Sequence, residues 1–232
     1  MSKSLHLNGE IWTVSELGEQ ALALKSDRSD VPIGSIHQAA NILEKASIDD
    51  IVDIIQSYES IVLVYDRLLG ALNEEIQAIE KVCADILINQ SSPQRYEVPV
   101  CYELGLDWDE VEGHAGLSRE KIIGLHISGS YTVAMQGFIP GFLYLSGLSE
   151  KIACPRREEP RTKIPAGSIG IGGNQTGIYS LESPGGWQII GQTPISFFDA
   201  SKTPPSQVEA GDKVVFKKIS EEEFQNLKRD SA

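Results

Sequence analysis

The sequence predicts an α+β protein in two parts. A small N-terminal α/β sandwich of order β-β-α-β-β-α covers residues 1–92, and a β-barrel or sandwich covers residues 93–232. Three observations carry this division. Apolar residues in the first part switch between period two and a spacing of three to four. Ser91-Ser92-Pro93 then interrupts the pattern. After Lys151 the chain turns into short apolar pieces cut by glycine and proline.

In order, Glu10–Val14 and Ala21–Lys25 read as short strands with turn residues between them. Ile33, Ile36, Ala39, Ala40 and Leu43 mark one helix face, with His37 at its surface or boundary. Ile51–Ser57 and Ser60–Asp66 read as strands joined by a tight turn at Tyr58-Glu59, and the second is apolar enough to sit centrally in a sheet. Leu72, Ile76, Ile79, Val82, Cys83 and Ile86 form a second amphipathic helix. Beyond the break, Tyr96–Tyr102 and Tyr131–Phe138 read as strands. Asp109–Ala115 and Ser118–His126 read as short helices, with Ser118 as an N-cap. Apolar pieces continue through Ile195–Asp199 and Asp212–Lys218, and Ser220–Ala232 is a charged tail with the character of a frayed helix.

Composition excludes several functions. With 20 basic and 33 acidic residues the net charge is -13, which argues against nucleic acid, since phosphate binding needs a positive surface. No run approaches the ~20 apolar residues of a membrane span. The first residues lack a basic region followed by an apolar core, so no signal peptide is expected. Cys83, Cys101 and Cys154 are widely spaced and suggest free thiols in a cytoplasmic protein, with no metal site.

Pro155–Pro194 stands apart from this acidic background. Lys151, Arg156, Arg157, Arg161 and Lys163 face only Glu158 and Glu159 in the interval they span. These guanidinium groups suit an anion, or else they pair with acidic neighbours. Gly170, Gly172 and Gly173 form a backbone loop able to line an anion pocket. The run is neither a Walker loop, lacking the Lys-Ser/Thr that would follow, nor a dinucleotide fingerprint. Gln175, Thr176 and Tyr179, with Trp187 nearby, can hydrogen-bond and cover a planar amide or carboxylate. His126, Tyr131 and Phe138 are further pocket candidates, although a structural role suits His126 as well. Phe138, Phe142 and Tyr144 fit either barrel core or a docking surface. No nucleophile stands out, and the catalytic residues stay open.

GFIPGFLYLSGL (137–148), PRREEPR (155–161), the glycine-rich block 164–194 and FFD (197–199) resemble the family of the 5-oxoprolinase B subunit. That family includes the sporulation-kinase inhibitor KipI and allophanate hydrolase subunit 1. EGHAGLSREKIIGLH (112–126) shares the likeness. Ser180 departs from it, standing where the family usually has proline, and Ile139 where a smaller residue is usual. The resemblance implies a cyclophilin-like β-barrel as the second domain. It implies subunits A and C as partners in an ATP-dependent 5-oxoprolinase that opens 5-oxo-L-proline to L-glutamate, with a carboxyltransferase-like architecture. An alternative it carries is inhibition of a histidine kinase's autophosphorylation.

Overall fold

Asn8-Gly9 turns the chain before the first predicted strand. Both residues have positive φ, 55° and 73°, the geometry of a two-residue hairpin turn. The turn joins β1 (Lys3–Leu7) to β2 (Glu10–Glu16), with Leu7 opposite Glu10. The sheet therefore begins one strand earlier than the apolar pattern suggests. The computed structural model describes residues 3–28, 31–84, 86 and 92–230, so Ser91 of the predicted break, and Ser231 and Ala232 of the tail, lie outside the described residues. Contacts divide the chain into two compact units, Met1–Ser92 and Pro93–Ala232.

The first unit continues through β3 (Ala21–Ser26), α1 (Ile33–Ala46), β4 (Ile51–Gln56), β5 (Ser60–Tyr65) and α2 (Leu72–Cys83). The sheet order is β1-β2-β3-β5-β4 and every pairing is antiparallel. β5 lies between β3 and β4, the inner position its apolar run predicts. Alternate residues Leu22, Leu24, Ile61 and Leu63 are fully buried, and Ile36, Ala39, Leu43, Ile76 and Ile79 of the helices share their cluster. Period two in the strands and a spacing of three to four in the helices thus meet on one sheet face. Val52 and Ile55 on edge strand β4 remain exposed. His37, expected at the surface or a boundary, is buried at 8% exposure.

The second unit runs β6 (Arg95–Val100), α3 (Trp108–Ala115), α4 (Arg119–Ser128), β7 (Tyr131–Gln136), β8 (Leu143–Ser146), β9 (Arg161–Ile164), β10 (Ser168–Gly172), β11 (Gln175–Ile178), β12 (Ser183–Gly185), β13 (Gln188–Gln192), β14 (Lys213–Lys218) and α5 (Glu221–Asp230). Seven strands form one sheet in the order β13-β10-β11-β8-β7-β14-β6, with only β14 and β6 parallel. The sheet curls into a nearly closed barrel: Cys101, just past β6, exchanges two backbone hydrogen bonds with Gln192 at the end of β13, at 2.9 and 3.0 Å. Val98, Val133, Leu143, Leu145, Ile169, Ile171, Ile178, Ile190 and Phe216 are part of the core of this unit. β9 and β12 pair as a separate two-stranded sheet.

Three expectations change here. Ile195–Asp199 forms no strand, although Phe197 is buried in the core. Ser118 precedes α4 but its side chain makes no cap; Glu112 Oε1 accepts the Arg119 N–H instead, at 2.7 Å. The tail is a helix with a reciprocal cap, in which Glu223 accepts from the Ser220 N–H at 2.8 Å and the Glu223 N–H donates to Ser220 Oγ at 3.2 Å.

Candidate functional site

β10 and β11 alternate strictly. Ile169, Ile171, Thr176 and Ile178 are fully buried, Ile169, Ile171 and Ile178 within the main core, while Gly170, Gly172 and Gly177 present the other face. Trp187 occupies that other face. A Cβ on Gly172 would stand 2.6–2.7 Å from three indole atoms, one on Gly170 3.1 Å from the Trp187 Cβ, and one on Gly177 2.9 Å from the indole Cζ3. Gly170 and Gly172 are thus clearance for an aromatic ring within a strand paired on both sides, not the open backbone loop expected of them. Gly173 alone is a turn residue, φ 67°, beside the half-buried Gln175.

The indole anchors an aromatic cluster. Phe142 and Tyr144 meet it edge-on, with centroids at 5.5 and 5.7 Å, and Tyr179 packs against Phe142 at 4.9 Å. Burial pushes the Tyr179 hydroxyl up to about 12. Phe142 and Tyr179 are 1% exposed, whereas Phe138 is 61% exposed at a turn with φ 69°. Of the three aromatics offered for docking, Phe138 is exposed, Tyr144 is half-buried and Phe142 is enclosed. On the cluster's outer side the Arg156 guanidinium carbon lies 5.6 Å from the Trp187 ring centroid.

Arg157 and Arg161 go elsewhere. Both converge on Asp107, whose side chain is 1% exposed. Arg157 Nη1 reaches Oδ1 at 2.8 Å, and Arg161 binds both oxygens, at 2.8 and 2.5 Å. Asp107 Oδ2 also accepts the Ile189 backbone N–H at 2.6 Å. Ile189 O in turn accepts the N–H groups of Leu106 and Asp107. Asp107 thus takes the place of a strand partner for β13, and the two arginines neutralise it. Lys163 pairs with Glu182 at 3.0 Å on the surface. Two of the island's five basic residues are thus taken up by an internal carboxylate and a third by a surface pair, and Asp107 is the residue that sequence reading missed. Its only sequence signal is a position before α3, fifty residues from Arg157.

Beside this clamp lies a cleft of about 470 Å³ whose lining includes Glu110, His114, Cys154, Arg156, Arg157 and Gln188. Cys154 is a poor nucleophile there: burial, followed by the carboxylates of Glu110 and Asp107, raises its thiol pKa, the reverse of activation. Among the described residues no group of three or more His, Cys, Asp or Glu could hold a metal ion, and no helix is long and apolar enough to cross a membrane.

His126, Tyr131 and Thr176 lie inside the second unit, away from that cleft's lining. Thr176 Oγ1 donates to Gly170 O at 2.9 Å, so it accepts from His126 Nε2, 3.1 Å away. Nδ1 then accepts from the Tyr102 hydroxyl at 2.7 Å. The ring stacks on Phe216 at 4.4 Å, and the Tyr131 hydroxyl donates to His126 O. Complete burial lowers the His126 pKa from 6.5 to about 3. Between those values the unfolded chain binds a proton that the folded protein refuses. This group's contribution is therefore full above pH 6.5 and falls as pH drops towards 3, by at most about 1.4 kcal/mol per pH unit. Urea denaturation at pH 7, 6 and 5 is expected to show that decline, flattened in His126→Gln. An NMR titration placing His126 above pH 5 would refute the enclosure.

A family model described as carboxyltransferase domain, subdomain C and D, matches residues 12–208. The chain is 36% identical over 235 aligned residues to the 5-oxoprolinase B subunit of Bacillus subtilis (strain 168), covering 95% of this chain and 98% of that one. A conserved uncharacterized protein of Pyrococcus horikoshii, known from its crystal structure, is 38% identical; the match covers 91% of this chain and 99% of that one, with a TM-score of 0.55. Kluyveromyces lactis urea carboxylase matches 98% of this chain and 24% of its own, with a TM-score of 0.76, at 17% identity. That last likeness is one of fold.

Proposed function

The chain belongs to the family of 5-oxoprolinase B subunits, with their carboxyltransferase-type domains, and on that footing we propose that it is the B subunit of an ATP-dependent 5-oxoprolinase. With subunits A and C it opens 5-oxo-L-proline to L-glutamate, a hydrolysis of a cyclic amide. The observation that carries this reading is likeness over whole chains: 95% of this one and 98% of its Bacillus subtilis relative align. The barrel is read as cyclophilin-like. The residues 1–92 and 93–232 act as separate domains, the second presenting the ligand surface.

The chemistry of the substrate fits a shared site. A five-membered lactam keeps its amide resonance, so opening it at neutral pH calls for coupling to ATP, which the complex consumes. This chain's part is to hold and orient the substrate. Arg156 is the cation for its carboxylate, because Arg157 and Arg161 are committed to Asp107. Trp187 lies beneath the Arg156 guanidinium, whose carbon is 5.6 Å from the ring centroid. Gln175, Thr176, Tyr179 and the backbone of Gly170, Gly172 and Gly173 then act behind the surface, shaping the sheet on which Trp187 rests.

The test is co-expression with subunits A and C, followed by measurement of glutamate formed with and without ATP. ATP-dependent glutamate formation is expected only from the full set. Arg156→Ala should lower kcat/KM by roughly 10- to 100-fold, the effect of losing a charged hydrogen bond of about 1.5–3 kcal/mol. A complete complex that forms no glutamate overturns the reading. A second reading, a histidine-kinase inhibitor, is favoured by exposed Phe138 alone. It would be supported if the same purification recovered a kinase whose autophosphorylation the chain blocks and Phe138→Ala restores.

A further inference from the structure

β13 opens, at the wall of the cleft, with a side chain that is only half satisfied. Gln188 is 6% exposed. Its Nε2 donates to the Pro155 carbonyl at 3.1 Å, and this fixes which end of the amide is which. Its Oε1 is buried without a hydrogen-bond partner. A buried amide oxygen left without a donor is costly, and Gln188 is one of the residues that line the cleft. The ligand that fits must bring a hydrogen-bond donor, and for the lactam of the proposed substrate that donor is the amide N–H.

The same cleft contains a cation set over an aromatic ring. Arg156 lines it, lies over the Trp187 ring, and has no ion pair among the described residues. Arg157 also lines it, but its guanidinium is held by Asp107 and Glu110. Glu158 and Glu159 share the lining and are exposed, so the cleft as a whole does not attract anions. Selectivity has to come from the planar fork of one arginine combined with one acceptor.

We propose that Gln188 is the specificity-determining residue of this cleft. Its Oε1 accepts the amide N–H of a small ligand whose carboxylate is held by Arg156. The class is a secondary amide carrying an acid group, such as a lactam acid. An N-alkylated analogue leaves Oε1 without its donor and presses a methyl group against it. This assignment rests on the reading of the cleft as the ligand surface, and it names the atom that reads the amide.

Isothermal titration of the full chain, alone and co-purified with its partner subunits, tests it with three probes. These are 5-oxo-L-proline, N-methyl-5-oxo-L-proline and 2-pyrrolidinone, the last with the N–H but no carboxylate. The lactam acid is expected to bind about 10-fold more tightly than either analogue, a factor typical of one hydrogen bond. Gln188→Met should erase the preference for N–H over N-methyl and keep the preference for the carboxylate. Arg156→Ala should do the converse. A merely disturbed cleft would not give this crossed pattern, and the comparison among probes on the unaltered protein requires no variant to fold. Equal affinity for the N–H and N-methyl acids, a preference that survives in Gln188→Met, or no binding by either form of the protein overturns the assignment. Glutamate formation with an unchanged KM in Gln188→Met would also overturn it while leaving the proposed 5-oxoprolinase role standing. The crossed pattern in a complex that forms no glutamate would do the reverse.

Discussion

Asp107→Ala is expected to lower the melting temperature by about 10 °C, the largest stability effect of any single substitution considered for this chain. The carboxylate is almost fully enclosed, and four contacts end on it: three from the guanidinium groups of Arg157 and Arg161 and one from the Ile189 N–H. Removing it leaves Arg161, 24% exposed, without its counter-charge, leaves Arg157, 26% exposed, with Glu110 alone, and leaves a β13 backbone donor without an acceptor. Losing one partner of a buried pair costs about 3–5 kcal/mol, and each kcal/mol is about 2–4 °C for a chain of this size. Arg161→Ala should cost less, because Arg157 and the Ile189 N–H still neutralise Asp107. Thermal unfolding followed by circular dichroism checks both, and a double-mutant cycle gives the coupling. A shift below about 2 °C for Asp107→Ala, less than 1 kcal/mol is worth, would mean that the Cys101–Gln192 bridge closes the barrel unaided.

Gly172→Ala is the second large effect. The added methyl would lie 2.6–2.7 Å from the Trp187 indole, inside any normal contact, and the indole is wedged by Phe142 and Tyr144. The ring must lift or β10 must bend, which for an overpacked core costs about 1–3 kcal/mol. Function should suffer with stability, since a displaced indole no longer supports Arg156. Trp187 is 5% exposed, so lifting it should move its fluorescence to the red. The variant is expected to show both a lower melting temperature and a weaker KM for the lactam acid. An unshifted spectrum with native stability would show that the glycine is not clearance for the ring. Gly173→Ala is the matched control: nothing lies within 4 Å of its added Cβ, and only its φ of 67° opposes the change.

Particular residues show how far a local pattern reaches. The run Ile61–Tyr65 indicated an inner strand because both its faces are apolar, and it pairs with β3 and β4. Leu72, Ile76, Ile79, Val82, Cys83 and Ile86 indicated a helix by their spacing; Ile76, Ile79 and Cys83 are buried and Leu72 partly so, while Val82 is exposed and Ile86 lies past the end of α2. Ile195–Asp199 misled because an apolar piece can be buried by one side chain, Phe197, without strand pairing. Asn8-Gly9 carried a hairpin signal that was available and went unused. Ser220 and Glu223 likewise carried the capping pattern of α5.

By itself, then, the sequence determined the α+β class, the strands and helices with strong periodicity, and the family, through a glycine-rich block too long and too unusual to arise by packing alone. The tertiary structure decided what that block is for. Periodicity reports which way a side chain faces, and composition reports its charge; neither reports its partner. Arg157 and Arg161 stood open between an anion site and pairing with acidic neighbours until the closing barrel brought Asp107 against them, 50 and 54 residues away. Gly170 and Gly172 read as a loop until Trp187 filled the space above them. Gln188 had no signal at all, because an acceptor without a donor exists only once everything around it has been placed.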